Sequence, residues 1–268
     1  ISGEASFLND KTLSVNGKQI QAKFFILAVG AKPMQLPLEG KEHVITSDDF
    51  LDLDALPPSI CFIGGGFISF EFAHFAARLG SSKRLVILEV ADRLLGTFDA
   101  EMVELLVEAS QAEGIEVMCG VEIKAIKKHD KGFLIHTAQS GSFETDLVVH
   151  GAGRVPDLDT LGLDSAGIEY SKRGIIVDET LRTSNRRIFA IGDCCSFIQE
   201  GEDRPVPPRA QAAHLLLHHA ADGQGAAEAC LDGVGPGEGH AGQRGGAHQC
   251  SHVCALPGSW PGRGVSRP

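Results

Sequence analysis

The sequence predicts an α/β fold organised around one βαβ unit, and three observations predict it. Residues 61–89, CFIGGGFISFEFAHFAARLGSSKRLVILE, read as strand, glycine turn, helix, strand and terminal acid. Segments near 121–127, 132–137 and 143–150 alternate apolar and polar residues between turn signals, the pattern of an antiparallel meander. Two further apolar runs, Phe24–Val29 and Ile188–Ile191, each end on a glycine, as short buried strands do.

In chain order, Asn9-Asp10 and Asn16-Gly17 are turn signals, and the second joins Thr12–Val15 to Lys18–Gln21 as a hairpin. Phe24–Val29 is closed by Gly30, and Pro33 prevents its continuation. Pro37 and Gly40 mark an exposed crossover, and Ser47-Asp48-Asp49 caps a short helix before Leu56-Pro57-Pro58. Cys61–Ile63 is too short for helical periodicity, and Gly64-Gly65-Gly66 turns the chain sharply out of it. From Phe67 to Leu79 the apolar residues recur at helical spacing, with Gly80 as the stop. Leu85–Leu88 is a second buried strand ending at Glu89. Asp99 caps a helix running to about Glu113, with Met102, Leu105, Leu106 and Ala109 on one face and Gly114 as the stop. Ile115–Met118 is the next strand. The last meander segment feeds Asp146–His150 and then Gly151-Ala152-Gly153-Arg154-Val155-Pro156. Residues 157–187 mix a short helix with a strand at 174–177, and Ile188–Asp193 is a short strand with an acid at its end. Pro207-Pro208 precede a helix start at 209–214. The tail 215–268 is rich in glycine and contains no Lys, Ile, Phe, Tyr, Asn, Met or Thr, so it is expected to be disordered or out of frame rather than a packed element.

The βαβ stretch has the chemistry of a dinucleotide site. Gly64 permits the sharp turn, and Gly66 lacks the Cβ that would keep a pyrophosphate from the backbone. The following helix points N–H groups and its positive dipole end at the phosphates. Ser69 holds the third glycine position with a small side chain. Glu89 lies slightly beyond the usual offset of about 20 residues from the first glycine. A carboxylate there accepts from both ribose hydroxyls and repels a 2′-phosphate, which favours NAD over NADP.

Composition bounds the function classes. A chain of 268 residues, 43% hydrophobic, holds one large or two ordinary domains. A formal net charge of −11 argues against a phosphate-tracking nucleic-acid binder. No run reaches the roughly 18 apolar residues of a membrane span. The start, ISGEASFLND, has neither a basic n-region nor an apolar h-region, so no signal peptide is expected. It lacks an initiator Met, which suggests a fragment or a processed product. Seven cysteines at irregular spacing do not form a secreted disulfide framework, so a cytoplasmic, reducing setting is expected. Cys194-Cys195 read as structural thiols. His248, Cys250, His252 and Cys254 lack two separated ligand pairs, so no metal site is assigned. Lys124, Lys127 and Lys128 read as a solvated face, and His214, His218 and His219 as a solvated helix end.

Four landmarks stand in one order: Ala28-Val29-Gly30-Ala31-Lys32-Pro33, Gly64-Gly65-Gly66-Phe67-Ile68-Ser69-Phe70-Glu71, Gly153-Arg154-Val155-Pro156 and Ile188-Phe189-Ala190-Ile191-Gly192-Asp193. Residues 1–214 thereby resemble the FAD-dependent pyridine nucleotide-disulfide oxidoreductases, the glutathione reductase and dihydrolipoamide dehydrogenase superfamily. The resemblance implies a Rossmann-like NAD-binding domain at 46–153, a parallel sheet plus meander. It would be inserted in an FAD-binding domain represented by 1–45 and 154–214. It implies that Gly30, Gly192 and Asp193 line FAD, with Asp193 on the ribitol. Gly64, Gly66, Ser69, Glu71, Glu89 and Gly153 would line NAD, with Glu71 and Gly153 on the nicotinamide side. Arg154 would either touch flavin or pair with a carboxylate. It further implies hydride transfer from NADH to flavin, a disulfide or other small-molecule acceptor, and homodimers in full-length members.

The family's first FAD glycine motif, its Cys-x4-Cys redox pair and its His-Glu interface pair have no counterpart here, so no catalytic residue is assigned to this chain. Ala190–Cys194 with Pro207–His214 also resembles the type II NADH:quinone dehydrogenases, the alternative enzyme reading. A nucleotide-binding fragment without turnover is the third reading.

Overall fold

The computed structural model describes residues 1–80, 82–138, 141–199, 202–205 and 252–256. They divide into two compact units: Pro33–Arg154, and Ile1–Lys32 with the described residues from Val155 onward. The Pro33–Arg154 unit thus begins ahead of the boundary expected at 46.

Three antiparallel strands open the chain: β1 (Ala5–Asn9), β2 (Thr12–Val15) and β3 (Lys18–Gln21). Asn16 and Gly17 turn between the last two at φ 48° and 79°, the doubly positive backbone of a tight hairpin. β4 (Phe24–Ala28) buries Phe25 and Leu27 completely, and β5 (Ala31–Pro33) leads into the Pro33–Arg154 unit.

There, α1 (Ser47–Leu51) is capped by Thr46, one residue ahead of the expected Ser47. Thr46 Oγ1 accepts from the Asp49 N–H, and Asp49 Oδ2 accepts from the Thr46 N–H at 2.8 Å, a reciprocal capping box. β6 (Ser59–Ile63) is followed by α2 (Phe67–Leu79), which ends at Gly80 with the left-handed φ of 68°. β7 (Arg84–Leu88) precedes α3 (Ala100–Ala112), whose first N–H groups are accepted by the Asp99 carboxylate. α3 buries Val103 and Ser110, with Leu106 and Val107 half-buried, while Met102, Leu105 and Ala109 are exposed. The expected face is therefore rotated. Ser110 selects the real one: its Oγ donates to Leu106 O at 2.7 Å and lies 2.9 Å from His74 Nε2 of α2.

β8 (Ile115–Met118) leads to the meander β9 (Ile123–His129), β10 (Gly132–Thr137) and β11 (Ser142–Thr145). The expected third meander segment breaks at Asp146. Asp146 Oδ2 accepts from Ser59 N–H and Oγ at 2.9 and 2.7 Å, which starts β12 (Leu147–His150) beside β6. The strands β12, β6, β7 and β8 form one parallel sheet in that order. Ile60, Phe62, Leu85, Ile87 and Val149 pack in the cluster holding Phe70, Phe72, Ala73 and Val103 of the helices. Cys61, Ile63, Val86, Leu88 and Val148 pack with Ile126 and Ile135 of the meander. Both sheet faces are covered, which is why these strands read as unbroken apolar runs. Strand order reverses at β6, with β7 to one side and β12 to the other. The crevice beyond the carboxyl ends at such a reversal is where open α/β sheets take ligands.

β13 (Arg154–Pro156) pairs with β5. A single 3-10 turn, Leu163–Ala166, stands where a short helix is expected. β14 (Tyr170–Ser171) and β15 (Gly174–Ile176) are followed by β16 (Ile188–Ala190), which runs parallel to β4 with Ile188 opposite Phe25. β17 (Cys195–Gln199) and β18 (Glu202–Pro205) complete a four-stranded sheet in the order β14-β15-β17-β18. β19 (His252–Leu256) pairs antiparallel with β4. No packed element is expected after 215, so this strand departs from that reading. A fully apolar β4 leaves one edge open beside β16, and an edge of this kind draws any available strand. The helix expected at 209–214 lies outside the described residues, as do His214, His218, His219, His248 and Cys250, whereas His252 and Cys254 fall in β19. Among the described residues no helix is long and apolar enough to cross a membrane.

Candidate functional site

The Pro33–Arg154 unit gathers Gly64, Gly66, Ser69, Glu89 and Gly153 along the carboxyl edge of its parallel sheet. Gly64 leaves β6 at φ +97°, and a Cβ there would lie 2.3 Å from the Ala152 Cα. A Cβ on Gly65 would meet Leu94 Cδ2 at 2.4 Å, and one on Gly66 would lie 3.0 Å from Gly151 O. The protein's own packing therefore requires a glycine at 64 and disfavours any side chain at 65 and 66, before any ligand arrives. The loop packs closely on Gly151-Ala152 at the end of β12.

Gly66 starts α2 with no side-chain cap and no acid in the first turn. The helix thus presents its positive end to the crevice with no acid in its own first turn, which suits an anion. Ser69 is fully buried, and its hydroxyl donates to Gly64 O at 2.5 Å. Glu89, at the end of β7, is half-buried. Its Oε2 accepts from the Gly65 N–H at 2.5 Å and its Oε1 from the Ala91 N–H at 2.8 Å. Each oxygen keeps free lone-pair capacity for a further donor. Arg93, the cation nearest in sequence, donates instead to the Phe98 carbonyl.

Gly153 has φ +110° and open space where its Cβ would be. Glu71 is exposed on the face of α2 that carries exposed Phe67 and Phe75, one turn to either side. It makes no salt bridge among the described residues. Arg154 begins β13 and is half-buried.

In the other unit, Gly30 and Gly192-Asp193 lie just past the carboxyl ends of the adjacent parallel strands β4 and β16. Both glycines have positive φ, 67° and 76°, with nothing within 4 Å of where a Cβ would stand. Asp193 is exposed beside them. Two side-chain-free backbone segments and a carboxylate at a parallel strand edge fit a polyhydroxyl, phosphate-bearing ligand, though only on the side these two strands provide.

Cys61, Cys119, Cys194 and Cys195 are unpaired. Burial pushes the Cys61 and Cys194 thiols up and that of Cys195 to about 12. Cys194 and Cys195 donate to different carbonyls, Ile191 O at 3.1 Å and Gly192 O at 3.3 Å. Burial, with the Glu89 and Asp92 charges, also raises the exposed Cys119 thiol on the crevice rim. None of the four is poised as a thiolate nucleophile at neutral pH. Among the described residues no three His, Cys, Asp or Glu side chains gather as a metal site.

Gly151 and Leu94, neither of them assigned to the site from the sequence, wall the loop. Glycine recurring directly after an apolar strand, as in Gly151-Ala152-Gly153, is the signal that marks the first.

Residues 1–215 match the family model described as pyridine nucleotide-disulphide oxidoreductase. Mercuric reductase of Staphylococcus aureus is 35% identical over 199 residues, covering 72% of this chain and 36% of that protein. Glutathione reductase of Burkholderia cepacia is 34% identical, covering 71% of this chain and 42% of that protein. Dihydrolipoyl dehydrogenase of Bacillus subtilis is 35% identical, covering 74% of this chain and 44% of that protein. Among solved structures, the HOCl-induced flavoprotein disulfide reductase RclA of Escherichia coli superposes with a TM-score of 0.72 at 24% identity. That match covers 84% of this chain and 51% of that one. It is a likeness of fold. The chain belongs to the pyridine nucleotide-disulphide oxidoreductase family. It spans less than half the length of these three curated relatives.

Proposed function

We propose that this chain is the nicotinamide-nucleotide module, with part of the flavin site, of an FAD- and NADH-dependent oxidoreductase of the disulfide reductase type. The observation that carries the reading is the Glu89 carboxylate, fixed at the end of β7 by two backbone N–H groups beside the glycine loop. A nicotinamide supplies hydride and a flavin accepts it and passes electrons on, when both are bound.

The chain's own residues do the holding. The Gly64–Gly66 loop and the N-terminus of α2 neutralise a pyrophosphate. Glu89 accepts from ribose hydroxyls and repels a 2′-phosphate, and Arg93 is engaged at Phe98 rather than offered to one. This favours NADH over NADPH. Gly153 leaves the backbone bare on the nicotinamide side, with Glu71 at the exposed start of α2. Asp193 accepts from flavin ribityl hydroxyls, and Gly30 and Gly192 let the flavin chain approach the backbone.

The acceptor is a disulfide or another small molecule, and the electron path to it lies outside the described cysteines. The unpaired thiols of Cys61, Cys119, Cys194 and Cys195 fit a reducing, cytoplasmic setting. Homodimerisation of the complete protein belongs to the same reading.

The test is an anaerobic absorbance spectrum of the chain mixed with FAD, before and after NADH. Retained flavin absorbance that bleaches with NADH supports the oxidoreductase reading. Colourless protein that binds NADH limits the chain to a nucleotide-binding fragment. Failure to bind NADH overturns the reading.

A further inference from the structure

We propose that Ser69 is a positioning residue. Through the Gly64–Gly65 peptide it fixes the Glu89 carboxylate, and Gly151 must lack a side chain to admit its hydroxyl. The proposal rests on the dinucleotide reading of the crevice.

The carbonyl of Gly64 and the N–H of Gly65 belong to one peptide group. That group is planar, so holding both ends fixes its orientation. Ser69 Oγ holds the carbonyl end at 2.5 Å, and Glu89 Oε2 holds the N–H end at 2.5 Å. Ser69, the peptide and Glu89 therefore form one chain of hydrogen bonds. It runs from the fully buried side of α2 to the half-buried end of β7. Glycine on both sides gives this peptide unusual freedom, and the two bonds remove it.

The space for the hydroxyl comes from β12. A Cβ on Gly151 would stand 1.9 Å from Ser69 Oγ, 3.1 Å from Ser69 Cβ and 3.3 Å from Ser69 N. Gly151 cannot withdraw, because its N–H donates to Ile63 O at 2.7 Å. Nor can the loop withdraw, because the Gly64 N–H donates to Leu88 O at 2.7 Å. A serine at 69 and a glycine at 151 are thus a matched pair. A methyl at 151 is admissible only when the Ser69 side chain is gone.

A residue that served packing alone would change stability and leave the choice between dinucleotides untouched. The relay instead predicts a change in selectivity, because Glu89 is the group that discriminates. The experiment measures Kd for NADH and for NADPH, with thermal melting of each protein. It uses the 268-residue chain and its Ser69→Ala, Gly151→Ala, Ser69→Gly and Ser69→Gly/Gly151→Ala variants.

Ser69→Ala leaves a buried carbonyl without its donor, and NADH affinity is expected to fall about tenfold, with the NADPH:NADH ratio narrowing. Gly151→Ala is expected to weaken NADH at least as much. In the double variant the methyl is expected to cost less than about twofold relative to Ser69→Gly alone, a non-additive outcome. That last comparison holds even if Gly151→Ala alone fails to fold.

An unchanged NADH affinity and an unchanged ratio in Ser69→Ala, with NADH binding intact in the parent chain, overturn the inference and leave the dinucleotide reading standing. Additive losses in the double variant overturn the steric pairing. A parent chain that binds neither dinucleotide overturns the dinucleotide reading and the inference with it.

Discussion

Replacing Glu89 by alanine is expected to weaken NADH strongly and NADPH little or not at all. The side chain accepts two backbone N–H groups, at 2.5 and 2.8 Å, from Gly65 and Ala91. Hydrogen bonds to a charged group are worth about 1.5–3 kcal/mol each, but this carboxylate is only half-buried and water replaces part of the loss. Fold stability is therefore expected to fall by about 1–3 kcal/mol. On the proposed dinucleotide reading, the substitution also removes a charged hydrogen bond to the ribose from the NADH complex. At about 1.5–3 kcal/mol this is roughly 10- to 150-fold in Kd. NADPH never gains that bond and loses a repulsion when the carboxylate goes. Glu89→Gln, which keeps an acceptor oxygen without the charge, is expected to fall between parent and alanine for NADH and to gain for NADPH. The assay is calorimetric titration of each protein with both dinucleotides at about 0.1 M ionic strength, where screening is fixed. Equal affinity of the parent for both dinucleotides refutes the reasoning. So does an equal proportional loss for both in Glu89→Ala.

Gly64→Ala forces a side chain into φ +97° with its Cβ 2.3 Å from the Ala152 Cα. Left-handed strain and overpacking together predict about 2–5 kcal/mol of destabilisation, read from the denaturant midpoint; a loss below about 1 kcal/mol contradicts the packed-loop geometry. Asp193→Ala, at an exposed position, is expected to leave the melting temperature within a few degrees and to reduce FAD retention, measured by flavin absorbance after desalting. The buried Cys195 thiol holds its proton to about 12, above the ordinary value of 9.0, so the folded state keeps a proton that the unfolded state has released. Its contribution to stability is fully present below pH 9 and is lost as pH rises from there toward about 12. Peptide-resolved alkylation at pH 8 should accordingly modify Cys119 well before Cys61, Cys194 or Cys195.

The parallel sheet and its glycine loop were legible because both faces of β6 and β7 are covered, leaving runs such as Cys61–Ile63 and Leu85–Leu88 with no polar interruption. The hairpin at Asn16-Gly17 was legible because few residue pairs tolerate two positive φ values in succession. The packed face of α3 was not. Hydrophobicity alone favoured Met102 and Leu105, while the real face is chosen by Ser110 and its contact with His74, a polar pairing between helices distant in sequence. The break at Asp146 depends on Ser59, 87 positions earlier, and no local pattern carries it.

At the candidate site, residue types and spacing marked Gly64, Gly66 and Glu89. They assigned Gly64 to the turn and Gly66 to ligand approach, but not the close packing of Ala152 on Gly64 and of Gly151 O on Gly66, because those neighbours lie far along the chain. The dual hold on the Gly64–Gly65 peptide was hidden for the same reason. Ser69 and Glu89 lie on different elements, and only the folded loop brings them to opposite ends of one amide.

Peptide-resolved hydrogen exchange of the chain with and without saturating NADH reads out whether the dinucleotide sits on the glycine loop and Glu89. Slowed exchange is expected at residues 64–69, at 89–91 and at 151–153, with the helix body of α3 unchanged. NADH binding that leaves all three segments unprotected, or protects only segments of the other unit, contradicts that placement.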